Sequence, residues 1–235
     1  MSNLSDKPVE LILGSASPRR KELVAMLGLP FTIKKPDIDE TQQEGEAPAE
    51  FAKRLSREKA AAIVTNHGAD SGFVISADTI VVHHGQVLGK PRDEHDARQM
   101  LQRLRGQPHR VLTAVSIQNS TTGKVITDIC DSKVVLRQMS DEEIDAYVAT
   151  GDPLDKAAAY AIQNVQFAPV EEVVGCPANV MGLPMCHVVR SLRRHGIDLP
   201  DSDPTACRYS YGGYYCEIAE AVMPGLTEKG ILPSR

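Results

Sequence analysis

No stretch of this 235-residue chain approaches the roughly 20 consecutive apolar residues needed to cross a bilayer, and residues 1–7 have no signal-peptide core. A membrane partner is therefore not expected, and the cytoplasm is the expected compartment. Basic residues are not in excess, since 26 Lys and Arg face 31 Asp and Glu for a formal net charge of −5. That balance argues against a general nucleic-acid partner, which needs a basic face to neutralise phosphates; it leaves room for a local basic pocket. The five cysteines (Cys130, Cys176, Cys186, Cys207 and Cys216) are odd in number, widely spread and without a C-x-x-C pair. A structural zinc site or a full disulfide framework does not fit that spacing. Cys176, between Gly175 and Pro177, has no histidine placed to activate it as a nucleophile. A G-x-x-x-x-G-K-[ST] loop is missing, which sets the chain apart from P-loop enzymes, and no internal repeat is visible. What is present, 42% hydrophobic and 24% charged residues, describes a soluble globular chain long enough for one large domain or two small lobes.

The stretch Gly14-Ser15-Ala16-Ser17-Pro18-Arg19-Arg20 joins an apolar run, residues 9–13, to a helical pattern over residues 21–27. Ser17 suits an N-cap, and Pro18 suits the first helical position, where its missing N–H costs nothing. Free N–H groups and the positive end of the helix dipole make such a terminus a natural anion site, to which Arg19 and Arg20 add charge and planar donor forks. An isolated Ser-Pro-Arg-Arg is more often a capped helix with solvated arginines. The acidic turn Pro36-Asp37-Ile38-Asp39-Glu40-Thr41 is either a solvated loop or a set of oxygen ligands for a hard cation.

Pro48 opens a helix whose apolar positions Phe51, Ala52, Leu55, Ala62 and Ile63 share one face at 100° per residue. Lys59 lies in the middle of that face. It either snorkels to water along its stem or borders a cleft and reaches an anion there. Residues 73–82 read as a β-branched strand with one carboxylate, Asp78, at its centre. A buried carboxylate needs a partner, which a lysine, a metal or a catalytic role would supply, and a capping hydrogen bond is the plain alternative. Gly85-Gln86 turns the chain into Val87-Leu88 and Gly89-Lys90-Pro91, placing Lys90 at the far end of a hairpin arm near the one that carries Asp78.

Residues 93–104 form an amphipathic helix, residues 109–118 and 124–136 two antiparallel strands, and Ser140 with Glu143 a capping box before a helix that stops at Gly151. Residues 152–163 mix small and charged side chains with no clean period, as expected of a segment shaped by close packing, with Asp155, Lys156 and Gln163 as polar candidates. Residues 170–174 are a further strand, residues 175–179 a loop, and a last helix runs from the region of Pro184 to Gly196. From Leu199 the character changes, with Tyr209, Tyr211, Tyr214 and Tyr215 clustered around Gly212-Gly213. This end is expected to pack on the globular body or a partner, or to be partly disordered.

Seven segments in order carry a resemblance: residues 15–20 (SASPRR), 58–60 (EKA), 76–82 (SADTIVV), 89–91 (GKP), 150–156 (TGDPLDK), 159–163 (AYAIQ) and 179–184 (NVMGLP). Together they resemble the Maf family of nucleoside triphosphate pyrophosphatases, some described as septum-formation inhibitors, over about residues 11–197. The resemblance implies an α/β fold, a mixed twisted sheet flanked by helices in two lobes with a cleft, with a nucleotide pyrophosphatase domain over residues 8–198 and an extension over 199–235. It implies hydrolysis of a nucleoside triphosphate between the α and β phosphates with a divalent metal cation (Mg²⁺ or Mn²⁺), and a homodimer. The Asp155 to Gln163 segment resembles the branch acting on dTTP and UTP, with Ala158 and Asn164 standing where glycine is common and Cys176-Pro177-Ala178 where a Ser-Tyr-Ser-like loop is frequent. By resemblance Asp78 is the general base, Ser15, Arg19, Arg20, Lys59 and Lys90 contact phosphates, Arg19, Thr79 and Gln163 bear on substrate choice, and Glu40 helps Asp78 hold the metal. The competing function is a non-catalytic nucleotide-sensing regulator of cell division.

Overall fold

In the computed structural model the described residues are 10–67, 72–197, 199, 214, 216 and 218–222. Their elements run β1 (Leu11–Leu13), α1 (Pro18–Ala25), β2 (Phe31–Ile33), α2 (Pro48–His67), β3 (Phe73–His83), β4 (Gln86–Leu88), α3 (Glu94–Leu104), β5 (Pro108–Asn119), β6 (Val125–Leu136) and α4 (Asp141–Ala149). Two short 3₁₀ turns (Asp152–Asp155 and Ala157–Ala159) follow, then β7 (Val170–Val174), α5 (Pro177–Val180), α6 (Met185–Arg194) and α7 (Ala219–Val222). Among the described residues no helix is long and apolar enough to cross a membrane.

The seven strands form one mixed sheet in the order β2-β1-β3-β5-β6-β7, with β4 also paired to β3. β1 is parallel to β2 and β3, while β3, β5, β6 and β7 pair antiparallel in sequence. β5 covers one edge of β3 from Phe73 to Val82. The other edge is shared: β1 pairs only with Phe73–Ile75, and β4 only with Val81–His83. Residues 76–80 therefore have one edge with no strand beside it, because β1 is three residues long and turns away at Gly14. That gap locates the site described below.

Side chains alternate across β3, so its two faces meet different helices. Val74, Ile80 and Val82 point to α2, where Phe51, Ala52, Leu55, Ala60 and Ile63 are buried. Ile75 and Ala77 point the other way, into a core with Leu23 and Val24 of α1 and Val188, Val189 and Leu192 of α6. Val81 joins a further cluster with Leu101 and Leu104 of α3 and Ile144 and Tyr147 of α4. Full burial of each leucine, isoleucine or valine is worth about 1.5–3 kcal/mol relative to exposure, so these layers hold the loops between them in place. Cys216 and Ala219 are buried in the same core as α1 and α6, and the Tyr214 hydroxyl donates to the Val170 carbonyl at 2.8 Å. Tyr209, Tyr211 and Tyr215 lie outside the described residues.

Several local expectations change. Ser17 occupies the N-cap of α1 with extended backbone, but its side chain makes no capping bond; its own N–H donates to Ser15 Oγ at 3.2 Å. α1 ends at Ala25, two residues earlier than the apolar pattern suggests. The single turn α5, with Pro177 at its first position, takes up residues 177–179 of the expected loop and Val180 beyond it, and α7 follows the helix expected to be last. The capping box of α4 is present in both directions, Ser140 Oγ accepting from Glu143 N–H and Glu143 accepting from Ser140 N–H. The aperiodic segment after Gly151 is the pair of 3₁₀ turns, and Ala158 and Ala159 in it both hold positive φ, at 57° and 61°. A Cβ makes that conformation cost of order 1 kcal/mol per residue, so this segment is held by its surroundings rather than by propensity.

Candidate active site

Asp78 and Lys59 reach each other because β3 and α2 place them on facing surfaces. They are only 6% and 7% exposed, and Lys59 Nζ donates to Asp78 Oδ1 at 2.5 Å. The same ammonium lies 2.8 Å from Glu40 Oε1, on the loop that approaches from β2. Lys59 does not snorkel to water; its ammonium is buried between these two carboxylates. It also supplies the partner that Asp78 required. Asp78 Oδ2 has no hydrogen bond to any described residue and remains available to a solvent molecule or a cation.

Arg20 fills the gap along β3 from the other side. Its Nη1 donates to the Ala77 carbonyl at 2.8 Å and to Ser15 Oγ at 3.4 Å, its Nε to the Gly182 carbonyl at 2.9 Å, and its Nη2 to Thr79 Oγ1 at 3.1 Å. Every acceptor is neutral. Burial lowers the guanidinium's pKa, the nearby Asp78 charge opposes that, Arg19 adds to it and Glu40 opposes it, so these four charges lie within one another's field. An arginine stays protonated through such a shift.

The Arg20 position depends on a polar strut that sequence reading missed. Thr113 Oγ1 donates to the Asn179 carbonyl at 2.9 Å, which leaves Thr79 Oγ1 to donate to Thr113 Oγ1, also at 2.9 Å, while accepting from Arg20. Asn179 Nδ2 in turn donates to the Val111 carbonyl and to Ser132 Oγ, and Ser132 Oγ accepts from the Cys176 N–H at 3.0 Å. α5 is thereby stitched to β5 and β6, and its end presents the Gly182 carbonyl to Arg20. Gly182 has φ +103°, and a Cβ there would stand 3.1 Å from Thr79 Oγ1 and 3.2 Å from Arg20 Nε. Only glycine allows that approach. The available signal was a buried threonine and asparagine inside otherwise apolar runs.

Arg19, Lys90 and Gln163 take no part in these bonds. Arg19 is half-buried and near enough for its charge to act on the Tyr147 hydroxyl. Lys90 is exposed and makes no ion pair with Asp78; its neighbour Gly89 accepts from the Ala158 N–H at 2.9 Å, which ties the hairpin arm to the 3₁₀ segment. Gln163 is half-buried on the loop that follows that segment, without a hydrogen bond of its own. The loop is braced by Asp152. Burial tends to raise that carboxyl's pKa, but hydrogen bonds from Asn164, Lys156 and Tyr147 outweigh it and hold the group below the usual range.

Two carboxylates, Glu40 and Asp78, converge on the Lys59 ammonium. Among the described residues no cluster of three or more His, Cys, Asp or Glu could cage a metal. A pair of carboxylate oxygens nevertheless suits Mg²⁺-like ions, which keep most of their shell for water and substrate phosphate oxygens.

The sequence profile of the Maf-like protein family matches residues 10–195. A protein of Anaeromyxobacter dehalogenans named dTTP/UTP pyrophosphatase is 47% identical over 196 residues, 83% of this chain and 98% of its own length. Proteins of the same name from Geobacter sulfurreducens and Hahella chejuensis are 46% identical over 186 residues and 43% over 190, covering 79% and 80% of this chain and 96% and 94% of theirs.

Proposed function

The chain belongs to the Maf-like protein family, and from that premise we propose that it is a nucleoside triphosphate pyrophosphatase acting on dTTP and UTP. The products are the nucleoside monophosphate and pyrophosphate. One observation carries the reading: a guanidinium held only by neutral acceptors, Arg20, stands beside a buried carboxylate with a free oxygen, Asp78, at an uncovered strand edge.

In this reading Asp78 orients a water and takes its proton as the water oxygen bonds to the α-phosphorus; the bond from that phosphorus to the bridging oxygen breaks, and pyrophosphate leaves. Arg20, with Ser15 beside it, grips non-bridging oxygens, and Arg19 and Lys90 reach the same triphosphate. Positive groups fixed before the reaction stabilise the charge that shifts to the leaving group, which is the larger part of phosphoryl-transfer catalysis. Lys59 pairs with Asp78 and aims its carboxylate. Glu40 and Asp78 supply the protein oxygens for Mg²⁺ or Mn²⁺, which when bound neutralises phosphate charge and lowers the pKa of water. Gln163, carrying both an acceptor and donors, matches the O and N–H edge of uracil or thymine, with Arg19 and Thr79 as the other selectivity positions.

The same reading divides the chain into a catalytic unit over residues 8–198 and an extension over 199–235, and places a homodimer in the cytoplasm with no nucleic-acid or membrane partner. The regulator without turnover is not favoured, since the base and the cations are all present. Pyrophosphate release measured across a nucleotide panel, with and without Mg²⁺ or Mn²⁺, tests the proposal: dTTP and UTP are expected to lead. Purine nucleotides leading would overturn the substrate assignment, and no release from any nucleotide would overturn the activity.

A further inference from the structure

We propose that Asn164, together with Asp152 and Tyr147, is a positioning residue for base selection, clamping the turn that presents Gln163. The inference rests on the pyrimidine reading above and deepens it.

The turn is held on both flanks of Ile162-Gln163. On one side the Ala161 N–H donates to the Tyr147 hydroxyl at 3.1 Å. On the other, Asn164 Nδ2 donates to Asp152 Oδ2 at 2.9 Å, and Asn164 Oδ1 accepts from the Phe167 N–H at 2.9 Å. The two flanks meet at one atom, because the Tyr147 hydroxyl also donates to Asp152 Oδ2 at 2.9 Å. Lys156 closes the knot from the far side, 3.0 Å from Asp152 Oδ1. The Phe167 ring stacks on Tyr147 with centroids 4.9 Å apart, so the return of the loop is fixed as well. Between the clamps, Ile162 packs against the cluster under α1 and α6 and also against the cluster under α3 and α4. Gln163 thus follows directly on the residue that bridges the two cores, and the Arg19 charge acts on the Tyr147 hydroxyl that holds one flank.

Nothing in this knot touches Asp78, Lys59 or Arg20. Its bonds fix where one amide side chain stands without supplying charge to the phosphates. The Asn164 side chain makes a bond to Asp152 that a glycine there could not make. A loop position that braces a recognition residue is expected to act on discrimination between bases more than on the chemical step.

The test is steady-state pyrophosphate release by the full chain from dTTP, UTP, CTP and GTP, comparing Asn164→Gly and Tyr147→Phe with the unmodified protein. Each variant removes two ordinary hydrogen bonds of the knot, to Asp152 and Phe167 in Asn164→Gly and to Asp152 and Ala161 in Tyr147→Phe, which predicts that KM for dTTP and UTP rises about tenfold, with kcat within about twofold. KM for CTP and GTP changes less, so the preference narrows. An unchanged preference in both variants, or an equal loss of kcat with all four nucleotides, overturns the clamp and leaves the reaction standing. An unmodified chain that releases no pyrophosphate overturns the reaction and this inference together, so the two failures are distinguishable.

Discussion

Lys59 and Arg20 approach the same five-residue stretch of β3 from opposite faces of the sheet, and they are held in different ways. Lys59 lies between two carboxylates, so that corner carries one net negative charge. Arg20 is fixed by two carbonyls and two hydroxyls, so its corner keeps its full positive charge, with Arg19 adjacent. Neutral acceptors orient a cation without cancelling it. The contrast separates two tasks: the negative corner suits a base, a water and a cation, and the positive corner suits the phosphates.

Removing the charge of the negative corner is expected to have the largest effect. Asp78→Asn should lower turnover by about 10²–10⁴ while the fold and nucleotide binding remain; near-normal pyrophosphate release would erase the distinction between the corners. Lys59→Met leaves Asp78 buried without its partner and should cost about 3 kcal/mol of stability, lowering Tm by roughly 10 °C. A Tm within a degree or two of the parent would show that Glu40 and Asp78 tolerate each other without the ammonium. Arg20→Lys keeps the charge of the positive corner and removes the fork that serves Ala77, Gly182 and Thr79 together. A fall in kcat/KM of about 10² is expected, and a much smaller loss would mean that charge alone suffices there.

A pH effect separates buried charge from burial that stays neutral. Burial lowers the pKa of both His109 and His187 to about 4, so the unfolded chain, with histidines near 6.5, binds protons at a higher pH than the folded one. Their contribution is complete above about pH 6.5 and is lost as pH falls towards 4, by about 1.4 kcal/mol per pH unit for each. Tm measured at pH 7.5, 6 and 5 should fall accordingly, and His187→Gln should flatten the slope by roughly half. A flat profile in the unmodified chain would show that these side chains are protonated in place.

Much of this was legible in the residues themselves. Pro18 at the head of α1, the β-branched run of β3 and the apolar stripe of α2 act within a few residues, where local sterics and periodicity decide the outcome. Lys59 on that stripe and Asp78 in that strand each announced a need for a partner, since burial without one is costly. The uncovered edge of β3 was not legible, because it depends on how far β1 and β4 extend along a third strand. The knot around Asp152 was hidden for a similar reason: it joins α4, a 3₁₀ turn and a loop that share no period. Ser17 has the extended backbone of an N-cap but its side chain makes no capping bond, while its own N–H donates to Ser15 Oγ, a choice between neighbouring hydroxyls that composition does not decide.

The interrupted edge of β3 also bears on solubility. Unpaired strand edges are templates on which another chain can add a strand. Here the opening is five residues long, its Ala77 carbonyl is already taken by Arg20, and charged side chains stand at its rim. Arg20 therefore serves as an edge guard. Loss of Arg20 is expected to make the chain more prone to self-association at this edge.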